Sequence, residues 1–127
     1  MTQHIDIPRF IEFTGERDFL AVVSEAFLRS LPLWRADFCQ ATEAYEINAL
    51  ADLLHKMKGS CYAVAAHGAA AQFELAELDI SNTNQGTWRR QSSILLDLIE
   101  QIEIELRAII MATNRDSENG QGNQCRA

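Results

Sequence analysis

The sequence predicts an all-α fold: an antiparallel up-down four-helix bundle with a short N-terminal helix. Three observations carry this. Apolar residues recur at a spacing of about 3.6 over long windows, only two prolines and six glycines interrupt the chain, and no stretch alternates apolar with polar residues as a half-buried strand would. Long helices joined by short connections pack as antiparallel neighbours, and the N-terminal piece is expected to lie over them as a lid.

Each element follows from local pattern. Residues 6–13, Asp-Ile-Pro-Arg-Phe-Ile-Glu-Phe, predict a short helix with Asp6 as N-cap, although Pro8 lies one place beyond the first helical position. Thr14-Gly15-Glu16-Arg17-Asp18 reads as a break, after which Phe19, Leu20, Val23, Phe27 and Leu31 recur at helical spacing and predict a helix over about 16–30. Pro32 removes an amide donor and clashes with the preceding turn, so a kink or interruption is expected there. Leu33, Trp34, Phe38 and Ala41 then carry the apolar face to about residue 43.

From Tyr45 onward, Ile47, Leu50, Leu54, Met57 and Cys61 step by three or four residues, the mark of a second long amphipathic helix. A turn over about 62–65 leads into an alanine-rich helix over about 65–79, whose small residues allow close packing. The run from Asp79 to Gly86 is a turn-rich linker. Trp88, Leu95, Ile99, Ile102, Leu106 and Ile109 form the seam of a last helix of about 25 residues. Residues 113–127 have almost no apolar content and are expected to be a disordered polar tail, leaving residues 1–112 as the folded domain. Trp34, Phe38, Phe73 and Trp88 are expected in the core.

Composition narrows the function classes. A chain of 127 residues suits one domain with a single core. The formal net charge of −7 argues against nucleic acid or an anionic membrane as the main partner. Cys39, Cys61 and Cys125 are widely spaced and form no CxxC pair, so neither a zinc site nor a disulfide framework is suggested. Met1 is followed by polar residues rather than an apolar leader, and no run of eighteen apolar residues occurs. A cytoplasmic, soluble, monomeric protein is expected.

Residues 51–61, Ala-Asp-Leu-Leu-His-Lys-Met-Lys-Gly-Ser-Cys, hold the strongest chemical signal. The only two lysines, Lys56 and Lys58, flank His55, so the local field is positive in an acidic chain. His55 lies one residue round from the core stripe and shares the outer face with Asp52, Lys58, Gly59 and Tyr62. An exposed imidazole, with an ordinary pKa of roughly 6.5, has a ring nitrogen free to attack phosphorus near neutral pH. Phosphoryl transfer needs positioning and charge neutralisation, which a lysine one turn away supplies. Gly59 costs about 1 kcal/mol relative to alanine inside a helix, and its missing side chain leaves room for another molecule to approach. No nucleotide-binding signature accompanies the histidine, so the phosphoryl group must come from another protein. Composition alone favours the plainer reading, a surface histidine between two lysines.

His55-Lys56-Met57-Lys58-Gly59-Ser60-Cys61 resembles the His-x-x-Lys-Gly-Ser signature of histidine-containing phosphotransfer (HPt) domains of multistep two-component phosphorelays. The resemblance extends over about residues 9–110: Phe27-Leu28, Leu31-Pro32 and Leu53-Leu54 match upstream, Val64-Ala65-Ala66 and Glu77 downstream. It implies that His55 is the phospho-acceptor, that Lys58 stabilises the phosphoryl oxygens, and that Gly59 is the small residue beside them. It implies too that Glu77 accepts a hydrogen bond from the other ring nitrogen and so fixes the reactive tautomer. The implied partners are response-regulator receiver domains and a hybrid sensor kinase, with no cofactor in this chain and Mg2+ on the partner receiver. Ala65 stands where the family has glycine, Ala76 where it has leucine, and Cys61 and Tyr62 differ from its usual small residues.

Two further constellations need weighing. Asp52-x-x-His55 has the spacing of di-metal helical bundles but lacks the second motif and further glutamates such a site requires. His67 is expected as a surface histidine at a helix start. Leu53 and Tyr62 are candidates for a docking patch beside His55. The expected function is phosphoryl relay, accepting from one receiver aspartate and passing to another; the alternative is a non-catalytic helical module that binds a response regulator.

Overall fold

The computed structural model describes residues 4–15 and 18–126, with side chains described as far as Arg115 except that of Phe13. Among the described residues the fold is all-α, with five helices: α1 (Ile7–Thr14), α2 (Asp18–Ala44), α3 (Ile47–Ala63), α4 (His67–Asp79) and α5 (Gln85–Arg126). α3 packs between α2 and α4, and α5 packs against both α2 and α4. No helix among the described residues is long and apolar enough to cross a membrane.

α1 starts where the Asp6 carboxylate accepts the Arg9 amide at 3.1 Å, and it stops at Gly15, whose φ of +80° a residue with a side chain adopts only at a cost. The Gly15 amide closes the end by donating to the Ile11 carbonyl. Glu16 and Arg17, which the sequence places in the break, lie outside the described residues.

The interruption expected at Pro32 is not there: α2 runs through it to Ala44. Pro32 is exposed, so the carbonyl it leaves without an amide donor lies on the side where water can reach it, while Leu31 and Trp34 are buried on the core side. Packing of the flanking turns outweighs the local cost.

Both turns leading into and out of α3 use the same device. Tyr45 (φ 52°) and Ala65 (φ 59°) adopt the left-handed conformation. Around them Glu46 donates to the Ala41 carbonyl at 3.0 Å and Ala66 to the Cys61 carbonyl at 2.8 Å, the six-to-one bond that satisfies a helix end. A non-glycine residue there costs about 1 kcal/mol. Ala65 therefore bears strain at the turn between α3 and α4.

Asn84 opens α5 by accepting the Thr87 amide on its side chain at 2.9 Å. The helix continues to Arg126, well past the 25 or so residues expected from its apolar seam. Its backbone is helical through residues assigned to the polar tail, of which Ala127 and the side chains beyond Arg115 lie outside the described residues.

The four aromatics assigned to the core are all there. Trp34 stacks on Phe38 with centroids 4.7 Å apart, and Phe73 and Trp88 meet this pair edge-on at 6.1 and 5.8 Å. Each indole N–H finds a partner: Trp34 donates to the Leu53 carbonyl at 2.9 Å and Trp88 to the Thr42 hydroxyl at 3.2 Å.

Ahead of α1, the Glu105 carboxylate of α5 accepts the His4 amide at 2.8 Å and the Ile5 amide at 3.1 Å. The Asp6 amide donates to the Ala65 carbonyl at 3.0 Å. The N-terminal segment is thus clasped between α5 and the turn that joins α3 to α4.

Candidate functional site

α3 positions the candidate nucleophile by burying one stripe, Leu50, Leu54, Met57 and Cys61, which leaves the adjacent positions facing outward. The Trp34 bond to the Leu53 carbonyl ties α3 to α2 two residues before His55. His55 projects from this anchored turn with 66% of its side chain exposed.

α4 supplies the carboxylate. Its inward face is built from Ala69, Ala70 and Phe73, all buried, and the small alanines let the helix lie close to its neighbours. From α4, Glu77 Oε2 comes within 3.2 Å of His55 Nδ1. A carboxylate only accepts, so this contact calls for the proton on Nδ1 and leaves the Nε2 lone pair free. Among the described residues nothing is hydrogen-bonded to Nε2.

The other oxygen of Glu77 lies 3.2 Å from Lys58 Nζ. One carboxylate therefore holds the imidazole and the ammonium together, in a cluster drawn from two helices. Lys58 has only 20% of its side chain exposed, so its aliphatic stem lies against the protein while its charged end reaches the site. This ion pair is not anticipated in the sequence reading, which pairs Glu77 with the histidine alone. The signal that would have found it is the three-residue spacing of His55 and Lys58, which puts both on the side of α3 that Glu77 faces.

Gly59 is exposed, and a methyl group built on it would meet no atom within 4 Å. Nothing within the chain requires glycine here; its effect is to leave the surface beyond Lys58 open. Lys56 is exposed and has no ion-pair partner among the described residues.

The remaining candidates fall outside this cluster. Asp52 is exposed on the preceding turn, and no group of three potential metal-ligating side chains gathers among the described residues. His67 begins α4 with its ring 5.6 Å from that of Tyr62. Leu53 is half-buried and Tyr62 exposed. Cys61, one turn beyond Met57 on the core side of α3, is buried, which pushes its thiol up to about 12 and leaves it unreactive.

The arrangement suits nucleophilic attack by an imidazole on an approaching electrophile, with a cation alongside for the charge that electrophile carries. In comparisons with known proteins, no family model, no curated protein and no solved structure matches the chain.

Proposed function

We propose that the chain is a phosphorelay intermediate of the HPt kind, cytoplasmic and monomeric, in which α2 to α5 form an antiparallel up-down four-helix bundle and α1 lies over one end. His55 accepts a phosphoryl group from the aspartyl phosphate of a receiver domain, loaded in turn by a hybrid sensor kinase, and passes it to the aspartate of another receiver.

The chemistry needs little from this chain. The Nε2 lone pair attacks phosphorus, the P–O bond to the receiver aspartate breaks, and its electron pair leaves with the receiver's carboxylate. The new Nε2–P bond places positive charge on the ring, and Glu77, still bonded to Nδ1–H, faces that charge. The Lys58 ammonium offsets the negative charge of the phosphoryl oxygens, and Gly59 leaves clearance for the receiver's surface. Mg2+, which phosphoryl transfer between such partners uses, belongs in this reading to the receiver. Attack by a second receiver aspartate on phosphorus reverses the bond changes and returns His55 to its starting state.

The observation that carries this reading is the exposed His55 imidazole with Nδ1 set against Glu77. Exposure is what a transfer residue requires and a core histidine lacks. The test is incubation of the chain with phosphorylated receiver domains: it is expected to take up phosphate in an acid-labile, base-stable form, and His55→Gln to take up none. Uptake by the His55→Gln protein would remove His55 as the acceptor. Receiver binding without transfer to the natural chain would favour the non-catalytic interaction module.

A further inference from the structure

Beside Gly59, on the flank of α3 that faces α1, lies a cavity of about 520 Å3, open to solvent on one side, that the phosphotransfer reading does not use. Its wall is mainly apolar. Phe10 of α1 and Phe19 of α2, with ring centroids 6.2 Å apart, line it with Val23, and Gly59, Tyr62, Ala63, Ala65 and His67 complete the wall together with Thr14. The volume lies in the range of small-molecule sites, roughly 300–1,000 Å3.

Charge selects among apolar ligands. The chain carries a formal charge of −7, yet no acidic side chain lines this cavity among the described residues. Arg9 lines it and forms no ion pair with any described residue. A single guanidinium presents a planar fork of donors that matches one carboxylate. An apolar wall that carries this guanidinium and the His67 imidazole, with no acidic side chain among the described residues, is complementary to a molecule with an apolar body and one carboxylate end.

We propose that this cavity binds a small amphipathic carboxylate, an aryl- or alkyl-substituted acid, with its apolar body between Phe10, Phe19 and Val23 and its carboxylate on Arg9. The glycine at 59 serves this site as well, because any side chain there would project from the cavity wall. The inference does not depend on phosphotransfer, since binding is measured on the chain alone.

The test is titration of the full chain with phenylbutyrate, followed by amide NMR, with phenylbutylammonium as the ligand of opposite charge. Saturable shifts are expected at Arg9, Gly59, Ala63 and Ala65, with phenylbutylammonium leaving them unmoved. Because Arg9 is exposed, Arg9→Gln is expected to fold normally and to weaken phenylbutyrate binding by about tenfold or more, the scale of one charge-assisted hydrogen bond. The proposal is overturned if no saturable shift appears, if the shifts centre on other residues, if the ammonium compound binds as well as the acid, or if Arg9→Gln binds phenylbutyrate unchanged.

Discussion

At His55 the position of one proton decides what the residue can do. Glu77 accepts from Nδ1, and that contact alone orders the tautomer in which Nε2 is nucleophilic. Glu77→Ala is therefore expected to shift proton occupancy from Nδ1 toward Nε2, read by 15N NMR of the imidazole, and to slow the proposed phosphoryl uptake by about tenfold, the worth of one charge-assisted hydrogen bond. Lys58 touches the same carboxylate but not the ring. Lys58→Ala should slow the proposed transfer comparably while leaving the imidazole tautomer in place; a tautomer change in that variant would mean that Lys58 acts by holding Glu77 rather than through the proposed contact with phosphoryl oxygens. Cys61 gives a separate check on the burial of α3's inner face. Its thiol is pushed up to about 12, whereas Cys39 is exposed, so at pH 8 an alkylating reagent should label Cys39 and leave Cys61 intact in the folded chain.

At the scale of elements, α2 and α5 are joined through one carboxylate. Arg107 at 2.9 Å and Arg35 at 3.0 Å both bond Glu103, and these bonds hold its carboxyl below the ordinary carboxylate value. A carboxyl with a lowered folded pKa contributes stability that is full above its unfolded value, roughly 4.3, and is lost as pH falls through the folded one. Glu103→Gln should accordingly lower stability at pH 7 by up to about 1 kcal/mol, the range for such partly exposed pairs. The gap from the natural chain should close on acidification below pH 4, as followed by thermal melts across that window. The elements themselves are legible in the sequence because helical spacing of Leu50, Leu54, Met57 and Cys61, or of Leu95, Ile99, Ile102 and Leu106, leaves no other way to bury them. Pro32 does not end the helix, because its penalty is local and the packing that outweighs it comes from residues far along the chain. The same limit leaves the Lys58–Glu77 pair only half legible, since spacing gives the shared face of α3 but not the register of α4 against it, and hides the cavity, whose walls come from four helices and the turn between α3 and α4.

At the scale of the molecule, the question is whether the N-terminal segment belongs to the cooperative unit of the core. The central aromatics plainly do: Phe38 is fully buried and touches both tryptophans, so its loss to alanine should cost about 3–5 kcal/mol and destabilise the whole chain. The N-terminal segment is held differently. Ile5 and Phe10 are buried, but its polar ties are few: the Glu105 carboxylate on the His4 and Ile5 amides, the His4 ring 2.8 Å from the Gln101 side-chain oxygen, and the Asp6 amide on the Ala65 carbonyl. Glu105→Ala removes the acceptor for two of those amides at once and leaves α2 to α5 otherwise intact. Segments tied by few contacts open at lower free energy than the core. Hydrogen exchange is expected to quicken in residues 4–14 of the Glu105→Ala chain, while the amides of Phe38, Leu54 and Ile102 keep their protection. Equal acceleration in both sets would make the segment part of one all-or-none unit, and the clasp a support of the whole fold rather than of the cavity wall that α1 provides.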